Sequence, residues 1–412
     1  MAKHLPRAVV AALLALAVGT ALAGWGCGGG SGGGTSAEGP VASGAQQALG
    51  TLTPWRLFGR TRSRIHYLRA PERLNPPLKH LWSFNDRVLI EFPPAVAGGV
   101  AYVADKYGNV RALRLSDRRV LWDIQRSHRE VGPPSDVTAP VYLRGRLFVA
   151  FRGGELVAFD ARDGKIIWKR NLDTHLESSP VVVGETLYLG SDKTNLFAIN
   201  TANGRIRWQY NAASPIKSSP SYRLGRIYFG DYTGTMFCLD ADSGRLIWQT
   251  DTTKVPPFGS GGFYSSSALA YGRVYAGRDD GTVYGFDART GKKAWSYETG
   301  DDIYGSPALA RVPGTPPTVY IGSYDHRLYA LNALSGDKEW SFDVGGQVPG
   351  TATVIGHTVY TSSFQTEESI GIDVLTHRKT FHYPSPGYTP MISDGRKLFL
   401  IGYFSLHGFE PK

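Results

Sequence analysis

The sequence predicts an all-β fold, an eight-bladed β-propeller built from four-stranded antiparallel blades, and three observations carry that prediction. First, a unit recurs: Ser218 to Trp248 (SSPSYRLGRIYFGDYTGTMFCLDADSGRLIW) is repeated in outline as Ser178 to Trp208, Pro140 to Trp168 and Ser267 to Trp295. In each, 28 residues separate the Pro position, taken by Ser267 in the last, from the Trp. Second, Trp82, Trp122, Trp168, Trp208, Trp248, Trp295 and Trp340 are spaced by 40, 46, 40, 40, 47 and 45 residues, and Phe381 stands 41 further on, which makes eight places. Third, each unit consists of short runs rich in β-branched and aromatic residues separated by Gly, Asp and Thr turns, the composition of consecutive antiparallel strands. A single four-stranded unit cannot cover both of its faces, so the units must stack, and a closed ring leaves no face bare.

The N-terminal residues read as a targeting segment. Lys3 and Arg7 precede an apolar run, Ala8 to Ala23, that falls short of the roughly 20 residues needed to span a bilayer. Residues 1–27 are therefore read as an export signal with two competing processing sites. Ala21-Leu22-Ala23 suits an ordinary signal peptidase, and Gly24-Trp25-Gly26-Cys27 resembles a lipoprotein site, with Cys27 as the candidate lipidation residue. Residues 28–50 form a Gly/Ser-rich tether with no packing pattern.

Residues 51–77 are a basic arm. From 51 to 80 the chain carries Arg56, Arg60, Arg62, Arg64, Arg69, Arg73 and Lys79 against Glu72, while residues 78–412 hold little of the net charge of +10. The ring is not strongly basic, which argues against a nucleic-acid partner. Two roles suit the arm: contact with anionic lipid or cell-wall polymer, or packing across the ring through Trp55, Phe58 and Tyr67.

Residues 78–412 are the propeller. Its last Pro-led unit starts at Thr389-Pro390 and reaches Lys412 before a Trp is due, whereas Leu78 to Phe84 is a lone closing strand with no unit before it. We expect residues 78–84 to complete the last blade. Of the two cysteines, Cys27 and Cys238, the second lies between Phe237 and Leu239 in a strand, where a small buried apolar role is the default.

The segments Phe159 to Trp168, Leu239 to Trp248 and Phe286 to Trp295 resemble the tryptophan-docking motif of the pyrroloquinoline-quinone (PQQ) repeat, and Asn200 to Trp208 and Asn332 to Trp340 match with Asn for Asp. In these segments the Asp can accept backbone N–H bonds within the turn and Gly164, Gly244 and Gly291 supply its positive φ, so the seven Trp residues are read as structural, docking blade on blade. The resemblance implies one of two relatives. One is the quinoprotein dehydrogenases, which hold PQQ with calcium beside a vicinal disulfide and a catalytic Asp. The other is the non-enzymatic propellers of the BamB type, which act in outer-membrane assembly. This chain has no adjacent Cys pair, and its ten His residues form no H-x-H or H-E-x-x-H cluster. A non-enzymatic role without cofactor or metal is therefore the first expectation. A divergent quinoprotein holding PQQ in the channel is the alternative, and a cell-wall or carbohydrate binder is a third.

In blades of this kind, the connection between blades and the turn between second and third strands share one face. That face is expected to gather His128, His175, Glu177, Lys217 and, as the candidate partner-binding set, Tyr232, Phe258, Phe263, Tyr264, Asp301, Asp302, Tyr304 and Tyr324. The insertion Val255 to Ser266 is the leading loop. Aromatics mixed with carboxylates suit a protein, peptide or saccharide partner. The whole reading is an exported, monomeric envelope protein, held at the membrane through its N-terminal segment.

Overall fold

The computed structural model describes residues 55–86, 88–125, 137–252, 261–389 and 391–412. Cys27, His128 and Phe258 lie outside them. Eight sheets form, each with a short inner strand followed by three longer ones. The inner strands are Ala95–Ala97, Val141–Leu143, Val181–Val183, Ser221–Arg223, Ala268–Ala270, Ala308–Ala310, Thr353–Ile355 and Met391–Ser393. They define blades 1 to 8. Neighbouring inner strands from blade 1 to blade 8 lie side by side, and Val96 of blade 1 shares a core cluster with Met391 and Ile392 of blade 8, so the ring is closed.

The closure is the expected one. Strand Leu78–Asn85 pairs antiparallel with Ser405–Pro411, the third strand of blade 8, with Leu78 opposite Pro411 and Asn85 opposite Ser405. The first blade strand and the last strand of the chain thus share one sheet.

Five of the seven tryptophans bond across a blade seam, and the structure adds why glycine accompanies them. Trp122, Trp168, Trp208, Trp248 and Trp295 each donate an indole N–H to a carbonyl of the next blade, at 3.0–3.2 Å. The glycine of that next turn then lies flat on the indole. A Cβ placed on Gly204 would stand 2.7 Å from Trp168, and one on Gly244 would stand 2.7 Å from Trp208, so the residue must have positive φ and no side chain at once. At the seam of blades 6 and 7 the pattern changes. His377 takes the glycine's place at φ 58° and its ring sits 4.8 Å from Trp340. The insertion Val312 to Pro317 joins the first two strands of blade 6 beside this seam, and a hollow of about 180 Å³ lies there, lined by Gly314, Thr315, Trp340 and His377. Cys238 is fully buried, and burial pushes its thiol up to about 12.

Hydroxyls lock the blades around the channel. The second Ser of the repeated Ser-Ser-Pro step accepts the backbone N–H of its counterpart one blade earlier: Ala139 N to Ser179 Oγ (3.1 Å), Ser179 N to Ser219 Oγ (2.8 Å), Ser219 N to Ser266 Oγ (3.1 Å) and Ser266 N to Ser306 Oγ (3.0 Å). Ser306 N to Thr351 Oγ1 (2.9 Å) and Thr351 N to Tyr388 O (2.8 Å) carry the chain on to blade 8. Each inner strand is a sheet edge with backbone donors to satisfy, and this hydroxyl belt satisfies the row just before the strands begin.

Candidate functional site: a channel closed by the arm and open at a tyrosine-lined mouth

The next row of inner-strand donors is satisfied by the basic arm, which makes nearly a full circuit inside the ring. Trp55 O accepts from Val96 N of blade 1, Arg56 O from Tyr142 N of blade 2, Arg62 O from Tyr222 N of blade 4 and Ser63 O from Leu269 N of blade 5. Ile65 O then accepts from Leu309 N of blade 6, and His66 O and Leu68 O from Val354 N and Gly356 N of blade 7, while Arg62 Nε donates to Val182 O of blade 3. Tyr67–Leu68 finally pairs in parallel with Thr353–Ile355 as a fifth strand of that sheet. Trp55 is fully buried and Phe58 nearly so. Packing across the ring is thus the role the structure gives these residues, and Arg62 and Arg64 of the arm donate to carbonyls of the channel wall.

Arg64 sits at the centre of this coil, fully buried, and its partners are carbonyls rather than carboxylates. Nε donates to Pro220 O (2.7 Å), one terminal nitrogen to Phe58 O (2.9 Å) and the other to Ser179 O (2.8 Å) and Pro180 O (3.2 Å). Burial pulls its guanidinium down to about 9. His66 beside it is fully buried with neither ring nitrogen hydrogen-bonded, and burial, with the Arg64 charge, holds it at about 3.

This arrangement makes acid a destabilising agent. The neutral form of His66 is favoured in the fold, so between its ordinary value of 6.5 and about 3 the unfolded chain takes up a proton that the folded chain refuses, and stability falls as pH falls. His407, lowered to about 4 by burial and by His80, acts in the same direction. Each contributes a loss of about 2 kcal/mol between pH 6.5 and 5. Asp279, raised to about 6, acts in the opposite direction and offsets part of this, so denaturant melts across that range are expected to show a reduced net slope, and His66→Phe is expected to lower the loss by about 2 kcal/mol. An unchanged slope in that variant would assign the acid sensitivity elsewhere.

Each inner strand runs from the open mouth towards the far face, so the residue just before the Ser-Ser, Ser-Ser-Ser or Gly-Ser step lines the mouth. In blades 3 to 6 these are Glu177, Lys217, Tyr264 and Tyr304. Glu177 is the hub. Arg152 reaches its Oε1 at 2.6 Å, Lys217 Nζ its Oε2 at 3.4 Å, and the Tyr264 hydroxyl donates to the same oxygen at 3.4 Å. Lys217 Nζ also lies 4.8 Å from the centre of the Tyr232 ring and 6.0 Å from that of Tyr264. Tyr264 keeps 38 % of its surface accessible although protein surrounds it, as befits the wall of an open channel. That crowding, with Glu177 and with Glu91 of blade 1, drives its phenol well above the ordinary value.

Tyr264 meets Tyr304 edge-on at 5.8 Å, and Tyr304 meets Tyr324 at 4.9 Å and 57°. The Tyr304 hydroxyl donates to Asp302 Oδ2 at 3.1 Å, and Tyr324 N to Asp302 O at 2.9 Å. Asp301 is exposed at the rim. Asp279 is raised to about 6, first by burial and then by Asp302 and Asp280 against its bond from Gly262 N, and Asp302 is raised by burial, Asp301 and Asp280.

The structure therefore brings Tyr232, Tyr264, Asp301, Asp302, Tyr304 and Tyr324 to one mouth. It removes Phe263. That ring is fully buried in the core against Tyr284 and Phe286, over Gly230, and cannot meet a partner. The reason is alternation: Phe263 occupies the place of Leu176, Ile216, Ile303 and Val348 in the other blades, all buried, one residue before the mouth-lining position. An aromatic arc on blades 7 and 8 escaped sequence reasoning. Phe364 lies 4.7 Å from Tyr388 and 5.4 Å from Tyr403, which in turn touches the half-exposed Phe404. Its turns lie in the blades whose repeat pattern is weakest.

Among the described residues no three His, Cys, Asp or Glu side chains converge as a cation site, and the described thiol, Cys238, is sealed inside blade 4.

Among relatives of known name, the outer membrane protein assembly factor BamB of Salmonella typhimurium is 35 % identical over 105 residues, 24 % of this chain and 26 % of that protein. The 1-butanol dehydrogenase (cytochrome c) of Thauera butanivorans is 34 % identical over 87 residues, 20 % of this chain and 13 % of the enzyme. The chain thus matches about a quarter of the length of the BamB relative. Among solved structures, BamB from Moraxella catarrhalis superposes with a TM-score of 0.66 at 16 % identity, covering 81 % of this chain and 99 % of that one. Quinohemoprotein alcohol dehydrogenase from Comamonas testosteroni superposes with a TM-score of 0.74 at 15 % identity, covering 87 % and 80 %. At such identities these two show the shared fold alone. The sequence model of the outer membrane protein assembly factor BamB family matches residues 79–176 and 215–402, more than half of the chain, and the protein belongs to that family of PQQ-like propellers.

Proposed function

We propose that this protein is an exported, membrane-tethered, non-enzymatic scaffold that receives a protein or peptide partner at the tyrosine-lined mouth. Residues 1–27 would direct export, residues 28–50 would tether, and Cys27 would be the site of lipid attachment. The observation that carries the reading is the asymmetry of the channel: the arm bonds across it at the level of the inner strands, while Tyr232, Tyr264, Tyr304 and Tyr324 gather at the opposite mouth. Part-exposed aromatics with carboxylates at the rim of a mouth suit a docked side chain or loop. Family membership and the absence of an adjacent cysteine pair support binding over turnover.

A photo-crosslinking residue placed at Asp301 is expected to trap a discrete protein adduct in native envelopes. The same residue at Leu224, 84 % exposed on the turn between the first two strands of blade 4 at the far face, is expected to trap none. Equal labelling from both sites, or none from Asp301, would contradict the reading.

A further inference from the structure

We propose that the part of the mouth formed by Tyr304, Tyr324 and Asp302 receives a cationic side chain, lysine or arginine, from a basic segment of the partner. This rests on the scaffold reading and adds the chemistry of what is docked. The molecule displays the interaction one step away around the mouth. There Lys217 places its ammonium 4.8 Å from the Tyr232 ring and 6.0 Å from the Tyr264 ring, with Glu177 as counter-charge at 3.4 Å. Two phenol rings and a carboxylate hold an ammonium by its attraction to the ring faces and to the anion.

Two blades beyond Lys217, the same repeat position is Tyr304, so blade 6 contributes a ring where blade 4 contributes the cation. Tyr304 and Tyr324 stand 4.9 Å apart at 57°, and Asp302 is bonded to the Tyr304 hydroxyl. The neighbouring arginine does not fill the role. Arg278 is fully buried, donates to Gly261 O and Thr252 O at 2.7 Å, and pairs with Asp280 at 3.2 Å. Asp279, Asp301 and Asp302 lie around the two rings, and burial first, then the neighbouring carboxylates, disfavours the ionised forms of Asp279 and Asp302 there. An incoming cation favours those ionised forms. The rings are tilted against one another and Tyr264 meets Tyr304 at 81°, so they form the walls of a cup rather than a flat platform for a sugar ring.

The test is fluorescence anisotropy on the full chain with three probes: a labelled hexa-arginine peptide, a labelled hexa-glutamate peptide and labelled maltohexaose, with a thermal melt on every variant to establish folding. Hexa-arginine is expected to bind in preference to both others. Tyr324→Leu and Asp302→Asn are each expected to weaken it about tenfold, and Tyr324→Phe to leave it within about twofold, because the ring face remains. Lys217→Met, which vacates the Tyr232–Tyr264 pair and leaves Glu177 with less counter-charge, is expected to strengthen hexa-arginine binding. Binding that falls with Asp302→Asn but not with Tyr324→Leu would reduce the site to diffuse charge and overturn the proposal, as would a preference for maltohexaose. If the crosslinker at Asp301 traps a partner while hexa-arginine shows no preference, this inference fails and the scaffold reading stands. If neither is seen, both fail.

Discussion

A chain lacking residues 78–84 is expected to lose its cooperative fold altogether. Leu78–Asn85 is the outer strand of blade 8, paired along its length with Ser405–Pro411, and it carries Trp82, nearly buried, and Phe84 into the cluster that joins blades 1, 7 and 8. Removing it breaks a ladder of backbone bonds worth about 0.5–1.5 kcal/mol each. It also removes an indole whose loss alone costs about 3–5 kcal/mol. Together these approach the entire 5–15 kcal/mol by which a domain is ordinarily stable. The deletion also unties the arm from the sheet it leads into. A permuted chain separates these effects. Leu78 lies opposite Pro411, and Lys412 N donates to Pro77 O, so residues 78–85 placed after Lys412 through a short loop would form a hairpin with the strand they already pair with. Circular dichroism and denaturant melts are expected to find the deletion unfolded or aggregated and the permuted chain folded. A deletion variant that melts cooperatively would mean that seven blades can close without the eighth.

What the sequence made legible, and what it left hidden, divides along the range of the interactions involved. The blade count, the Trp docking and the closing strand follow from features that recur within one unit, so a period of 40 to 47 residues exposes them. Within a unit, the alternation that separates buried Phe263 from channel-facing Tyr264 was also present, since Leu176-Glu177, Ile216-Lys217 and Ile303-Tyr304 show the same apolar-then-mouth order. It becomes visible once the units are aligned on their Ser or Gly-Ser steps rather than judged by loop composition. The arm was legible only in part. Trp55 and Phe58 marked it as something that packs, but residues 55–68 spend their hydrogen bonds on seven different blades. Such a segment has no strand or helix period of its own, and its left-handed residues Gly59, Arg60, Arg64 and His66 follow the shape of the channel rather than a local pattern. A basic run therefore looked as suited to a polymer surface as to a protein interior.

Arg64→Met is expected to be among the most destabilising single substitutions in the chain. The guanidinium connects Phe58 of the arm with carbonyls of blades 3 and 4, and the four oxygens it serves are buried. Methionine fills much of the volume but donates nothing, so Pro220 O and Ser179 O lose a charged donor with no water to replace it. Bonds to a charged group contribute about 1.5–3 kcal/mol each, and each buried carbonyl left without a donor costs about 1–3 kcal/mol, roughly 3–5 kcal/mol together. For a domain of this size that lowers the melting temperature by roughly 4–7 °C. Arg64→Lys is expected to recover only part, because an ammonium is a point donor and cannot span carbonyls that the planar fork reaches in three directions. The arm is the element held by this network, so its release should precede unfolding of the blades: limited proteolysis of Arg64→Met is expected to cut first between residues 55 and 70 while the blades resist. If the variant melts like the parent and its arm stays protected, the backbone bonds from Trp55, Arg56, Ser63, Ile65 and His66 suffice to close the channel, and Arg64 fills space without fastening anything.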